Sequence, residues 1–266
     1  MAKSSFSQQD IVRHNQAAWD RKVEAHNEWT LSVSSEEIEA ARQGTVEIVL
    51  TPQRVVPQDW LGLYSGKKIL CLACGGGQQA PILAAAGAEV TFFDLSEKQL
   101  GQDRKVAERE GLKLDFQQGD MRDLKCFEDG RFDLIFHPVS NCFVPEIQPV
   151  WEECFRVLRP GGELLSGFCN PVMFLFCVKS MEEGTLKVRH QIPHSDALAL
   201  SPQELEDLKN TGDLLEYGHT LEAQIGGQLK AGFLLIDFYE DKSPHYKIDE
   251  YLPTFQATRA LKPKVS

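Results

Sequence analysis

A glycine-rich segment at residues 70–77, Leu-Cys-Leu-Ala-Cys-Gly-Gly-Gly, follows a short apolar run and precedes a stretch of small apolar residues. This order predicts a strand, a tight turn and a helix, because glycine permits the turn and lets a ligand approach the backbone. The first amide groups of such a helix are free to bind that ligand. The alternative, for this motif taken alone, is a turn that merely needs small residues.

An acidic residue, Asp94, follows the next apolar run, Glu89 to Phe93. In a nucleotide-binding sheet, an acid at this position accepts hydrogen bonds from both ribose hydroxyls. The alternative is an aspartate that caps the following helix. The pattern Gly75-x-Gly77-x-x-Ala80 with this aspartate also matches the dinucleotide fingerprint, so an NAD-dependent oxidoreductase is a second hypothesis at this point.

One histidine, His137, is the first polar residue after the apolar run Phe132 to Phe136. Ligands of open α/β sheets bind beyond the carboxyl ends of the strands. A histidine there could orient a substrate or accept its proton near neutral pH. We therefore predict that His137 is catalytic, with a structural histidine bonded to the backbone as the alternative.

Two cysteines, Cys71 and Cys74, have the spacing of a redox or zinc pair. No second pair of cysteines follows at this spacing, and Cys71 lies within an apolar run. We therefore expect no metal. Trp19 and Trp29 are interpreted as core residues rather than as a platform for a substrate, because most tryptophans pack in the interior.

Short apolar runs alternate with segments of helical length, which predicts an α/β fold with a doubly wound, mainly parallel sheet. The last two runs are separated by a short loop and are expected to pair antiparallel. The expected seven strands cover residues 67–72, 89–93, 114–117, 132–136, 162–168, 233–239 and 254–261.

Two segments lie outside this alternation. Residues 1–60 are predicted to form an N-terminal helical cap, followed by a main domain over 61–266. An insertion after the fifth strand, residues 171–220, contains a helix with Ser201 as its N-cap and Gly212 at its end. We expect the cap and the insertion to cover the strand ends as a lid and to select the substrate.

Composition narrows the class of partner. The formal net charge of −11 disfavours nucleic acid, since phosphate contacts require a basic face. The seven cysteines, an odd number that lies mostly in apolar runs, are typical of reduced thiols in the cytoplasm. No apolar stretch has the length of a membrane span or the form of a signal peptide, so we predict a cytoplasmic protein without a membrane partner.

Three further motifs occur in a fixed order. Gly119-Asp120-Met121 follows the third strand, Phe132-Asp133-Leu134-Ile135 forms the fourth, and Arg156 to Gly162, with its Leu-Arg-Pro-Gly-Gly turn, leads into the fifth. Together with the glycine-rich segment they resemble the class I S-adenosylmethionine-dependent methyltransferases. The resemblance covers residues 67–168 and resumes in the last two strands. Residues 27–30 and 137–141 resemble a bacterial subfamily whose substrate is uncertain.

The resemblance implies a Rossmann-like methyltransferase fold, S-adenosylmethionine as cofactor and a role for each matching residue. Ala73, Gly75 and Gly77 would line the methionine and ribose side, and Asp94 would bind the ribose hydroxyls. The remaining implied cofactor contacts are Leu95 and Gln99, Asp120 to the adenine amino group, Met121 to the adenine ring, and His137 near the methyl group.

This chain departs from the family pattern in the first strand, where the usual acid is Cys71 and the usual first glycine is Ala73. We predict a methyltransferase that acts on a small molecule. An NAD-dependent oxidoreductase and a non-catalytic binder of S-adenosylmethionine are the alternatives. The identity of the methyl acceptor and the oligomeric state do not follow from the sequence.

Overall fold

The computed structural model describes residues 6–62, 64–177, 180–181, 183–243 and 245–264. Its main sheet has the strands β1 (Lys68–Leu72), β2 (Glu89–Asp94), β3 (Leu114–Gln118), β4 (Phe132–His137), β5 (Leu158–Cys169), and two later strands separated from β5 by the insertion. A small second sheet, β6 (His194–Ser195) with β7 (Tyr217–Gly218), lies within that insertion. The two late strands of the main sheet are β8 (Leu234–Asp241) and β9 (Phe255–Leu261).

The main sheet has the strand order β3-β2-β1-β4-β5-β9-β8. The strands from β3 to β5 pair in parallel, whereas β9 pairs antiparallel with both β5 and β8. This confirms the predicted seven-stranded, mainly parallel sheet and its antiparallel last pair. β5 begins at Leu158 rather than at Gly162, because Leu158 already pairs with Phe132 of β4.

Helices cover the sheet. They are α1 (Gln8–Glu24), α2 (Ser35–Arg42), α3 (Gln58–Leu61), α4 (Gln79–Ala85), α5 (Glu97–Glu110), α6 (Gln148–Val157), α7 (Asp196–Ala199), α8 (Pro202–Thr211) and α9 (Gly227–Ala231). Short 3-10 turns occur at Glu28–Thr30, Asn141–Phe143, Pro171–Leu175 and Lys247–Glu250. Before the last two strands, a π-helical turn, Glu222–Gly226, continues into α9.

The helix caps follow the sequence closely. Ser201 and Glu204 form a capping box at the start of α8, and Gly212 ends this helix in the left-handed region at φ +74°. Ser96 caps α5 by accepting a hydrogen bond from the amide of Gln99. These local signals place the glycine-rich loop and the lid helices at defined positions on the sheet.

The N-terminal segment shares a hydrophobic core with the sheet. Ile38, Ile48 and Trp60 belong to the same buried cluster as Ile69 and Phe136. Burial of this apolar area favours a cap that stays attached to the strands. The boundaries 1–60, 61–266 and 171–220 stay predictions. They include residues 1–5, 63, 178, 179, 182, 244, 265 and 266, which lie outside the described residues. Within the described part of the chain, no helix has the length and apolar character of a membrane span.

Candidate active site

A cavity of about 720 Å³ lies beyond the carboxyl ends of the parallel strands. Its wall includes residues from the glycine-rich loop, the ends of β2 and β4, the N-terminal segment and the insertion. Among the site residues predicted from sequence, those that line the cavity are Ala73, Gly75, Asp94, Leu95, Gln99, Asp120 and Met121. The other two, Gly77 and His137, lie behind the wall.

The glycine-rich loop turns sharply at the end of β1. Ala73 and Gly75 have φ values of +50° and +75°, which lie in the left-handed region. A Cβ atom on Gly75 would lie 3.2 Å from the carbonyl oxygen of Trp29. Glycine at this position therefore leaves room for the N-terminal segment to pass over the loop and form part of the cavity wall.

Gly77 faces away from the cavity. Its amide donates a hydrogen bond to the buried carboxyl of Asp103 at 2.6 Å. A Cβ atom on Gly77 would lie 2.5 Å from the hydroxyl oxygen of Ser32. Gly77 therefore anchors the loop to α5 and to the N-terminal segment, and the structure does not bring it to the cavity surface.

Asp94 ends β2 at the cavity wall and is 8% exposed. Its Oδ1 accepts a hydrogen bond from the amide of Ser96 at 2.8 Å. Burial, together with the nearby carboxylate of Asp20, raises the pKa of Asp94 to about 7. The site therefore holds a desolvated carboxyl group that a hydroxyl donor would stabilise in its charged form.

Two other polar groups lie on the same side of the cavity. The Oε1 atom of Gln99 is buried without a hydrogen-bond partner among the described residues. The carboxylate of Asp120 accepts hydrogen bonds from Nε and a terminal nitrogen of Arg122, the shortest at 2.6 Å. This ion pair raises the pKa of Arg122 and fixes the orientation of Asp120.

His137 does not reach the cavity. It is fully buried, and its Nδ1 and Nε2 atoms lie 2.9 Å from the carbonyl oxygen of Leu72 and 2.8 Å from Oδ1 of Asn141. Burial lowers the pKa of His137. Both ring nitrogens contact groups of the protein itself, so this arrangement does not support the predicted catalytic base, and the role of His137 stays a prediction. The side chain points between β1 and β4, where parallel pairing brings the ends of these strands together.

The sequence interpretation of the two N-terminal tryptophans is corrected. Trp19 and Trp29 both line the cavity, and Trp29 is 42% exposed rather than in the core. Trp19 packs edge-to-face against Phe143 with ring centroids 5.3 Å apart. The ring that Trp19 contacts, Phe143, lies far away in the sequence. The spacing of apolar residues along α1 therefore gave no indication of the cavity.

Several cavity residues were not anticipated because they come from the N-terminal segment and from the insertion, residues 171–220. They include Asn15 of α1, Thr51 of the N-terminal segment, Phe174 of the insertion and Glu216 just before β7. The apolar stretch 171–177 contributes Met173 and Phe174 to the wall. Val178, which follows it, lies outside the described residues.

The fold and the placement of the cavity at the strand ends define an α/β enzyme that binds a nucleotide-like ligand. A family model described as a methyltransferase domain matches residues 70–166. The chain is 50% identical over 252 residues to an uncharacterized methyltransferase, YbaJ, of Bacillus subtilis. The aligned residues are 95% of this chain and 98% of that protein. The chain therefore belongs to the class I S-adenosylmethionine-dependent methyltransferases.

Other relatives are less similar in sequence. The ubiquinone biosynthesis O-methyltransferase of Bordetella pertussis is 31% identical over 150 residues, which are 56% of this chain and 62% of that enzyme. The 1,6-didemethyltoxoflavin-N1-methyltransferase of Burkholderia thailandensis has a TM-score of 0.60 at 14% identity, over 99% of this chain and 94% of that one. An S-adenosylmethionine-dependent methyltransferase from Mesorhizobium loti has a TM-score of 0.56 at 19% identity, over 77% of this chain and 94% of that one. These structures show that the fold is shared.

The residues at the cavity fit S-adenosylmethionine. Gly75 exposes its backbone to the cavity because it has no side chain. Asp94 is a buried hydrogen-bond acceptor, and Gln99 has a side-chain oxygen without a partner among the described residues. Cys71, which replaces the usual acid of the family, is fully buried within β1. The side chain of Cys71 therefore cannot substitute for that acid at the cavity surface.

Proposed function

We propose that this enzyme methylates a small, largely apolar molecule held in the same cavity as the cofactor. The observation that carries the proposal is one continuous cavity, about 720 Å³ in volume, that joins the ends of β1 and β2 to the lid. This volume is within the range of small-ligand sites, roughly 300–1,000 Å³. A macromolecular acceptor would need an open cleft instead.

The cofactor half of the cavity consists of residues at the ends of β1, β2 and β3. Asp94 would accept from the ribose hydroxyls, and Asp120 would face the adenine amino group. Leu95 and Met121 would pack on the adenine ring. The remaining contacts that we propose are Ala73, Gly75 and Gln99, with Gly77 acting behind them by holding the loop in shape.

The acceptor half lies over β4 and β5 and is mainly aromatic and aliphatic. Its aromatic side chains are Trp19, Phe143, Phe174, Tyr246 and Phe255. Such a wall favours a planar or ring-containing acceptor, because aromatic faces pack well against rings. Trp19 comes from the cap of residues 1–60 and Phe174 from the insertion of residues 171–220, which supports the assignment of both segments as the lid.

The bound cofactor supplies an electrophilic methyl group on a sulfonium. The protein's contribution is to align the acceptor with that group and to exclude water, which raises the effective concentration of the reacting atoms. Exclusion of water follows from the buried apolar residues Leu50, Cys142 and Phe255 at the cavity wall.

The nature of the acceptor has two further supports. The net charge of −11 disfavours nucleic acid. Relatives are named for small-molecule reactions, namely ubiquinone biosynthesis O-methyltransferases and a sterol 24-C-methyltransferase of Gibberella zeae. We also propose a cytoplasmic location, because all seven cysteines are free, as expected in a reducing compartment.

Calorimetry and radiolabelled methyl transfer test this proposal. S-adenosylhomocysteine should bind with micromolar or tighter affinity while NAD does not bind, and a panel of phenols, arylamines and thiols should include methyl acceptors. Trp19→Ala should lower acceptor turnover at least about tenfold and change the affinity for S-adenosylhomocysteine less than about threefold. Binding of S-adenosylhomocysteine with no transfer to any panel member would favour a non-catalytic binder.

A further inference from the structure

Glu216 is a carboxyl group at the acceptor half of the cavity. It lies just before β7 in the insertion, it is partly buried, and it contributes to the cavity wall. Its charge acts on the thiol of Cys142, which lies in the turn that follows β4. Glu216 therefore lies at the cavity wall near the turn that follows β4.

The backbone around Glu216 is held firmly. The amide of Leu215 donates to Oδ1 of Asn15 at 2.9 Å, and Nδ2 of Asn15 donates to the carbonyl of Leu215 at 3.0 Å. The amide of Glu216 donates to Oδ2 of Asp196 at 2.8 Å. These bonds fix the backbone at Glu216, so its side chain extends from a defined point of the cavity wall.

Within the described residues, burial and nearby charges act on the carboxyl group of Glu216 and no hydrogen bond to it is found, although its backbone amide is paired. A structural carboxylate in this position would be expected to pair with a donor. Lys22, which also lines the cavity, attracts it only electrostatically. An open carboxyl group in an apolar wall is a feature of a ligand site.

We propose that Glu216 is the catalytic residue that accepts the proton of a hydroxyl group on the acceptor. The proposal rests on the proposed function, since it assigns the acceptor class for the same cavity. His137 is buried behind the wall, and Asp94 and Asp120 belong to the cofactor half. Glu216 is therefore the carboxyl group placed to meet an aromatic hydroxyl compound in the acceptor half.

The step balances without any further reactant. The acceptor oxygen forms its bond to the methyl carbon while the carbon–sulfur bond of the sulfonium breaks, and that electron pair stays on sulfur. The hydroxyl proton passes to the carboxylate of Glu216 and is released to water when the products leave. The products are a methyl ether, a neutral thioether and one proton.

The charges around Glu216 suit this role. Burial, together with the carboxylates of Asp196 and Asp213, raises the pKa of Glu216 to about 7, and Lys22 lowers it in part. Asp196 is itself paired with His194 at 2.9 Å. A base whose pKa lies near the working pH is half ionised there and still strong enough to take a proton.

Methyl transfer to matched acceptors tests the proposal. The probes are 1-naphthol, whose hydroxyl must lose a proton, and 4-nitrothiophenol, which is already a thiolate at neutral pH. Glu216→Gln should lower kcat for 1-naphthol about a hundredfold and change kcat for the thiolate less than threefold. Glu206→Gln, an exposed change on α8 of the same insertion, is the control. Equal losses for both probes would overturn the proposal.

The pH profile gives a second readout. The wild-type rate with 1-naphthol should rise as pH passes through about 7, because Glu216 must be ionised to accept the proton. This limb should be absent in Glu216→Gln and present in Glu206→Gln. An unchanged limb in Glu216→Gln would contradict the assignment of the base.

A measurement without turnover separates this inference from the proposed function. In protein labelled at the glutamate carboxyl carbon, one resonance should titrate near pH 7 and be missing in Glu216→Gln. With S-adenosylhomocysteine bound, 1-naphthol should shift that resonance. No shift would overturn the proposal for Glu216. No methyl transfer to any probe would instead contradict the proposed function, and the carboxyl resonance would still decide the position of Glu216.

Discussion

A Cβ atom on Gly167 would lie 2.0 Å from the carbonyl oxygen of Leu50. The same oxygen accepts a hydrogen bond from the amide of Val139 at 3.1 Å. The N-terminal segment thus contacts the backbone of β5 directly and is hydrogen-bonded to the loop after β4. Leu50 and Val139 both line the cavity, so this contact forms part of the acceptor wall.

Gly167→Ala should push the Leu50 segment away from β5. We expect a loss of roughly 2–4 kcal/mol in the free energy of unfolding, because the methyl group would overlap backbone atoms. Gly101→Ala, in the open interior of α5 with no neighbour within 4 Å of the added atom, is the control. It should stabilise the protein by about 0.5–1 kcal/mol. Urea unfolding of both variants checks this, and equal effects would contradict it.

Cofactor binding should depend on the ionisation of Asp94. Its pKa is about 7 in the ligand-free protein, and donation from ribose hydroxyls favours the carboxylate. Binding should therefore release a proton below pH 7, and affinity should rise with pH up to that range, about tenfold per unit at most. Calorimetry with S-adenosylhomocysteine in buffers of different ionisation enthalpy measures this. Proton release that persists in Asp94→Asn would assign it to another group.

In the ligand-free protein, ionisation of Asp94 lowers the stability of the fold, whereas in the complex it favours cofactor binding. The folded pKa of about 7 lies above the ordinary value of 3.8, so the protonated group stabilises the fold at low pH. This stabilisation is lost as pH rises from about 4 to about 7. Asp94→Asn should therefore unfold at a higher temperature than wild type at pH 8, yet bind S-adenosylhomocysteine about 10–100-fold more weakly. A lower Tm at pH 8 would show that the charge itself supports the fold.

His137→Ala should damage stability rather than chemistry. The change removes the partners of the Leu72 carbonyl and of Asn141 and opens a cavity beside Trp151. We expect a loss of about 2–4 kcal/mol in unfolding free energy. His14→Ala, whose ring bonds the carbonyl of Asp213 near the surface, should cost about 1 kcal/mol or less. A stable His137→Ala variant with turnover reduced a hundredfold would return His137 to a catalytic role.

The attachment of the lid should depend on Asn15. Its amide group joins α1 to the carbonyl of Phe143 at 3.0 Å and to both peptide groups of Leu215. Asn15→Ala leaves these buried groups unpaired, at a cost of about 1–3 kcal/mol for each unsatisfied group, reduced where water enters. Hydrogen exchange over residues 213–217 should then be faster, whereas Asn210→Ala on α8 should leave it unchanged. Equal exchange in both variants would place the attachment elsewhere.

Much of the fold was predictable because its signals are local. The capping box of Ser201 and Glu204, the αL glycine at 212 and the apolar runs of β1 to β5 depend on neighbouring residues alone. The glycine-rich loop and Asp94 were predictable for the same reason, since each follows directly from the end of a strand. Parallel pairing then brings these ends to one edge of the sheet.

The sequence by itself determined the class of fold and the family, and it predicted seven of the residues that line the cavity. Only the tertiary structure decided which side chains form the acceptor half. His137 turns inward because its two hydrogen bonds join the end of β4 to the end of β1 and to the following turn. Trp19 and Glu216 reach the cavity because Asn15 bonds Leu215 across a separation of 200 residues. Such a contact depends on how distant segments pack together, and the residue pattern within either segment does not predict it.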